Sequence, residues 1–232
     1  MFDRLVWQRD RMLLDDLVFR LEHYRSADWD GGDHFRFYKI KELVDQYAHF
    51  FSRRSHFRPE RVMELGTYDG GSTAFWYELF RPQKQVALDI QDQMDAPYFR
   101  RYVESRGLGG RIKTYWNTDQ ADQARLRTIV ETEFDAPLDL VIDDASHLYR
   151  QTRASFEALF PLLAPGGLYI IEDWAWGHWS EFSSPGPVGG RRAVDTTGRR
   201  TSRSHRDIDP ARLKHRGVSG FRGSRTWSTA DR

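Results

Sequence analysis

From residue 61 onward, short apolar runs alternate with helical stretches, and no other feature of this 232-residue chain limits its fold so strongly. Apolar runs at 62–65, 86–90, 112–116, 138–142 and 168–171 are separated by helical patterns over 71–80, 97–106, 120–134 and 149–163. Strands separated by helices imply a parallel sheet, because a chain can return in the same direction only by crossing the sheet face, and such crossovers are right-handed. The expected fold class is therefore α/β, with an open, mostly parallel sheet. Pro165-Gly166-Gly167 reads as the stop of the last helix and the turn into the fifth strand.

Ahead of this pattern, Leu5, Leu13, Leu17 and Leu21 in residues 2–23, and Phe37, Ile40, Val44, Tyr47 and Phe51 in residues 36–51, lie near helical spacing. They predict two amphipathic helices, with a turn-rich loop over 26–32. The chain divides on this reading into an N-terminal helical segment (1–57), a sheet domain (58–182) and a basic tail (183–232). The tail holds 12 of the 35 Lys and Arg residues but 4 of the 34 Asp and Glu, leaving the body net acidic. Its few large apolar residues cannot offset chain entropy, so it is expected to be disordered and the C-terminus of the domain incomplete. Arg191, Arg192, Arg199, Arg200 and Arg203 could neutralise phosphates. Interleaved with Gly, Ser and Thr, they read as solvated chain, and nucleic acid is not expected as a partner.

The absence of cysteine excludes disulfides, thiolate metal sites and a cysteine nucleophile. Apolar runs fall far short of the roughly 20 residues that cross a bilayer. Charges at Asp3, Arg4, Arg9, Asp10 and Arg11 interrupt any signal-peptide core. A cytoplasmic protein without a membrane partner is the expectation. The N-terminal helices could serve as a lid or a subunit contact, which leaves a homo-oligomer open.

The first strand runs into Glu64-Leu65-Gly66-Thr67-Tyr68-Asp69-Gly70-Gly71-Ser72 and then a helix. Glycines at a strand-to-helix turn tolerate positive φ and admit close backbone approach, and the helix start offers free N–H groups. Asp89 ends the second strand about 20 residues past the turn, where a carboxylate can accept ribose hydroxyls. Tyr68 stands where a dinucleotide fingerprint needs its second glycine, which disfavours a nucleotide-dependent oxidoreductase. The pattern E-x-G-x-x-x-G resembles motif I of class I S-adenosylmethionine (SAM) dependent methyltransferases. That resemblance, over about residues 60–180, implies a Rossmann-like open sheet and SAM as cofactor, with Glu64, Gly66, Gly70, Ser72 and Asp89 in its site. It also places Asp119 and Gln120 beside the adenine, although Thr118 or Asp119 would equally serve as a helix N-cap.

Two acidic motifs follow: Asp143-Asp144-Ala145-Ser146-His147 after strand four, and Glu172-Asp173-Trp174 after strand five. Four carboxylates on neighbouring strand ends repel one another unless a cation or donors intervene, and an oxygen-only set suits magnesium. Strand alternation sends Asp143 and Asp144 to opposite faces, and likewise Glu172 and Asp173. D-D-x-S-H with P-G-G-L-Y-x-I-E-D resembles the metal-dependent sugar O-methyltransferases of macrolide biosynthesis, of the macrocin and mycinamicin types. The resemblance implies magnesium on Asp144, Glu172 and Asp173, His147 as base, and as substrate a small-molecule hydroxyl on a glycosylated natural product. Whether Asp143 joins the ligands is open. A SAM-binding relative disabled by its C-terminus is the alternative. Trp174, Trp176, His178 and Trp179 occupy the position of a substrate loop or of core cover.

Overall fold

The computed structural model describes residues 1–22, 32–92, 95–174 and 225–228. The N-terminal segment departs from the sequence reading. Residues 2–23 are not an amphipathic helix. After a short 3-10 turn (Phe2–Arg4), the chain forms β1 (Leu5–Trp7), β2 (Arg11–Leu14) and β3 (Leu17–Leu21) as an antiparallel meander, and β4 (Phe35–Phe37) adds parallel to β3. Asp15 takes φ 54° in the two-residue turn between β2 and β3, a conformation that aspartate tolerates well. Met12 and Leu14, like Leu17, Phe19 and Leu21, alternate at period two and are buried. The same leucines satisfy a helical period, so tight turn chemistry decided the outcome. The helix read at 36–51 is α1 (Lys41–Ser52), and its first residues belong instead to β4. Most of the loop read at 26–32 lies outside the described residues.

The remaining elements follow the predicted alternation. β5 (Arg61–Leu65), α2 (Gly71–Phe80), β6 (Lys84–Leu88), α3 (Pro97–Ser105), β7 (Ile112–Tyr115), α4 (Gln123–Glu133), β8 (Leu138–Asp143), α5 (Tyr149–Leu159) and β9 (Leu163–Ile171) run in order. Helix α5 stops four residues early because Pro161 follows it, and a 3-10 turn (Phe160–Leu162) leads directly into β9. Pro165-Gly166-Gly167 therefore sits inside the start of β9, opposite a register shift in β8, and not between helix and strand.

The sheet order is β7-β6-β5-β8-β9-β10, with β5 to β9 parallel and β10 (Arg225–Ser228) antiparallel to β9. This is the Rossmann-like open sheet expected. Strand β10 corrects part of the expectation of a disordered tail and an incomplete C-terminus: residues 225–228 pair with β9 and cover its edge. The other tail residues, for which disorder was expected, lie outside the described ones.

Strand alternation splits the core into two faces. Val62, Leu140, Ile142, Leu168 and Ile170 face the helix α2 side together with Phe19, Phe37, Phe75 and Trp76. Met63, Leu65, Val86, Leu88, Val141, Tyr169 and Ile171 face α4 and α5. The N-terminal strands thus share one apolar core with the sheet, and the Phe37 and Phe75 rings lie 5.0 Å apart. Strand order reverses between β5 and β8, and the crevice beyond the carboxyl ends of these strands is where open α/β sheets bind ligands.

Candidate functional site

The turn after β5 and the turn after β8 meet in this crevice. Gly66 has φ 87°, and a β-carbon there would run into the carbonyl of Asp144. The Asp144 amide donates to Leu65 O at 2.9 Å, and the Gly66 amide donates to Leu88 O at 2.8 Å. Gly70 takes φ 97° at the start of α2, with the Phe99 ring where its side chain would be. Both glycines are therefore required by contacts within the chain, whatever ligand approaches them. Asp89 is buried and accepts the amides of Tyr68 at 2.8 Å and Gln91 at 2.9 Å, one on each oxygen. Each of these oxygens keeps a lone pair, which suits a diol such as ribose.

Glu64 is fully buried beneath the turn. Its Oε2 accepts from Thr73 Oγ1 at 2.6 Å, while Oε1 has no hydrogen-bond partner. Burial pushes its carboxyl up to about 7, against the hydroxyls of Ser72 and Thr73 and the charge of Lys39. Ser72 is half-buried at the start of α2.

The acidic motifs divide as alternation requires. Asp143 turns to the α5 side and accepts from Gln120 Nε2 (3.0 Å), Ser155 Oγ (2.6 Å) and Tyr169 OH (3.0 Å). Burial raises its carboxyl to about 6, opposed by these hydroxyls. Its oxygens are spent on bracing the loop, so it is not placed as a metal ligand. Asp144 and Glu172 turn to the opposite face and share one cation, the ammonium of Lys39. Lys39 Nζ lies 2.8 Å from Asp144 Oδ2 and 2.7 and 2.8 Å from Glu172 Oε1 and Oε2. Burial alone would favour loss of its proton, but Asp144 and Glu172 outweigh that and hold its pKa above the ordinary lysine value. Burial and the charge of Asp144 push the Glu172 carboxyl up, while Lys39 pulls it down.

Asp173 takes a left-handed backbone conformation (φ 49°). Among the described residues no three Asp, Glu or His side chains converge closely enough to hold a metal ion. Of the expected set, Asp144 and Glu172 are brought together on one face, with Lys39 between them. The donors are of the right type, but two of them are already bound to an internal cation.

His147 lies half-buried on the loop after β8, with Nε2 3.9 Å from Asp144 Oδ1. Its φ is 59°, and Tyr68 and Asn117 are likewise left-handed beyond β5 and β7. Non-glycine residues in this region cost about 1–3 kcal/mol each and tend to gather at functional sites. Gln120, expected beside an adenine, points inward. Its Oε1 accepts from Ser146 N at 2.8 Å and its amide donates to Asp143, so it holds the His147 loop in place. Asp119 is exposed and free to meet a ligand, although its Oδ1 accepts from Ala121 N at 2.8 Å. The N-cap of α4 is Asp122, not Thr118 or Asp119.

Sequence reasoning missed the contribution of β4 and the residues just after it. Lys39 neutralises the acidic pair, and Arg36 Nε donates to the buried Asp69 of the glycine turn at 2.5 Å. The excess of carboxylates at the strand ends was the available signal, since two carboxylates close together, one of them buried, demand a counter-charge from somewhere in the chain. Trp174 packs near Tyr149, with ring centroids 6.0 Å apart. Trp176, His178 and Trp179 lie outside the described residues. Among the described residues no helix is long and apolar enough to cross a membrane.

Residues 63–174 match the family model of a methyltransferase domain. The chain is 36% identical over 139 residues to the 8-demethyl-8-alpha-L-rhamnosyl tetracenomycin-C 2'-O-methyltransferase of Streptomyces olivaceus, covering 55% of this chain and 33% of that protein. It is 34% identical over 171 residues to the demethylmacrocin O-methyltransferase of Streptomyces fradiae, covering 63% of this chain and 40% of the relative. The solved structure of MycE methyltransferase from the mycinamycin biosynthetic pathway, in complex with Mg, SAH and mycinamycin VI, is 33% identical. That match covers 63% of this chain and 38% of the other, with a TM-score of 0.49. The chain resembles these O-methyltransferases, and it spans only a third to two fifths of the length of the curated relatives.

Proposed function

We propose that the methyltransferase domain of this chain moves the methyl group of SAM to a hydroxyl of a small molecule, a sugar of a glycosylated natural product. The observation that carries this reading is the backbone contact between the Gly66 turn and the Asp144–His147 loop at the switch point of the sheet. A cofactor on the turn and an acceptor at the loop would there be neighbours. The named activities of the relatives supply the reaction class.

SAM would supply an electrophilic methyl on a sulfonium. The lone pairs of Asp89 would take the ribose hydroxyls, the turn over Gly66 to Gly70 would lie against the methionine part, and Asp119 would meet the adenine edge. Glu64, bonded to Thr73 in the first turn of α2, and Ser72 would belong to the same cofactor site. His147 would accept the proton of the acceptor hydroxyl as its oxygen bonds to the methyl carbon and the carbon–sulfur bond breaks, leaving a methyl ether and S-adenosylhomocysteine. Asp144, beside His147, would favour the imidazolium so formed. Holding acceptor and donor in line contributes much of the remaining acceleration. Asp144, Glu172 and Asp173 would hold a divalent ion, which when bound would lower the pKa of an acceptor hydroxyl beside it.

Calorimetric titration of the full chain with SAM, and separately with NADH, tests the reading. Micromolar SAM binding with no NADH binding is expected. The opposite preference would assign the fold to nucleotide redox chemistry instead.

A further inference from the structure

We propose that Arg36 is a positioning residue of the cofactor turn, which makes β4 of the N-terminal sheet a working part of the SAM site. The inference rests on the methyl-transfer reading for what the turn binds, but the contacts that hold the turn are a separate observation. Phe35 and Phe37 of β4 are buried in the core, and strand alternation sends Arg36, between them, to the opposite side. There its Nε donates to Asp69 Oδ2 at 2.5 Å, and its guanidinium carbon lies 5.1 Å from the centre of the Tyr68 ring. One side chain thus grips two consecutive residues of the turn between Gly66 and Gly70.

Both residues need such a grip. The Asp69 side chain is 8% exposed, and a buried carboxylate is costly without a charged partner and donors. Its other oxygen accepts the Gly71 amide at 3.3 Å, so the ion pair reaches the first residue of α2. Tyr68 is left-handed at φ 56°, a conformation that a bulky residue keeps only where its surroundings impose it. The Tyr38 ring meets the Tyr68 ring edge-on with centroids 4.9 Å apart, so guanidinium and phenol together hold that ring on the β4 side of the turn. The backbone of Tyr68 then gives its amide to Asp89 Oδ2 at 2.8 Å, which orients the carboxylate proposed for the ribose. The fit between β4 and the turn leaves no slack: a β-carbon on Gly71 would come within 2.0 Å of the Arg36 carbonyl. Arg36 therefore acts on the cofactor through Tyr68, Asp69 and Asp89.

The test compares the full chain with Arg36→Met by two measurements: hydrogen exchange of the turn over residues 66–72 without ligand, and calorimetric titration with SAM. Urea midpoints fix conditions in which both proteins are fully folded, so that lost stability cannot pass for lost affinity. In Arg36→Met, exchange at the turn is expected to quicken at least about tenfold while the amides of β8 and β9 keep their protection. SAM is expected to bind at least about tenfold more weakly. Turn exchange like that of the wild type in folded Arg36→Met would overturn the proposal. So would a SAM affinity within about twofold of the wild type, which would leave Arg36 a purely structural role. Should Arg36→Met fail to fold, Arg36→Met/Asp69→Asn, which strands no buried carboxylate, takes its place with the same expectations. A wild type that binds no SAM would strike the methyl-transfer reading, and the exchange measurement would still decide whether Arg36 holds the turn.

Discussion

Gly66 and Asp144 meet backbone to backbone: a β-carbon on the glycine would run into the aspartate carbonyl, and the Asp144 amide is bonded to the neighbouring Leu65. The contact joins the glycine turn and the acidic loop, 78 positions apart in the chain, into one site.

Gly66→Ala should therefore be costly twice over, through the clash and through its φ of 87°. A loss of about 3 kcal/mol or more is expected from backbone strain of this kind, together with at least a tenfold weaker SAM affinity. Gly109→Ala, where nothing lies within 4 Å, is the control and should leave both nearly unchanged. Urea midpoints and calorimetry read the two effects, and equal behaviour of the two variants would show that the turn can relax.

Glu64 should make stability fall as pH rises. Its folded pKa of about 7 stands above the ordinary 4.5, so the folded state keeps a proton that the unfolded chain releases between these values. Stabilisation by Glu64 relative to Gln is full below pH 4.5 and is lost as pH climbs through about 7. The cost of Glu64→Gln should accordingly shrink by up to about 3 kcal/mol from acid to pH 8. Denaturation of both proteins at several pH values measures this, and a difference independent of pH would mean that the carboxyl ionises normally.

His147→Ala should lower methyl-transfer turnover about 10²- to 10⁴-fold, the usual weight of a general base. SAM affinity should stay within about twofold, since the imidazole is proposed to face the acceptor. A parallel loss of SAM binding would reassign the residue to cofactor positioning.

Removing Lys39 should expose the energetic logic of the acidic pair. Lys39→Met leaves the buried Glu172 and the half-buried Asp144 uncompensated and is expected to cost about 3–5 kcal/mol. Neutralising them as well, in Lys39→Met/Asp144→Asn/Glu172→Gln, should recover most of it, since the partners share one network. If the triple variant is no more stable than the single, the lysine contributes through packing and not through charge.

The strand-and-helix order from β5 to β9 was legible because hydrophobic periodicity is local: each element is specified by residues within about ten positions of one another. Alternation also told correctly that Asp143 and Asp144 part to opposite faces. The N-terminal strands were not legible, since Leu13, Leu17 and Leu21 fit a helical stripe as well as the strands they join. Gln120, read as a ligand contact, turned out to be a brace because its burial depends on α5 and β8, which its own segment does not encode.

What the chain alone determined was the sheet, the glycine turn and the presence of acidic side chains at strand tips. Their partner was decided only by the tertiary structure. Lys39 lies 105 residues from Asp144 and 133 from Glu172, and no local pattern ties them together. They meet because β4 packs against the start of α2 while β8 and β9 lie side by side, and because a buried carboxylate beside a second one is stable only where the fold delivers a positive charge between them.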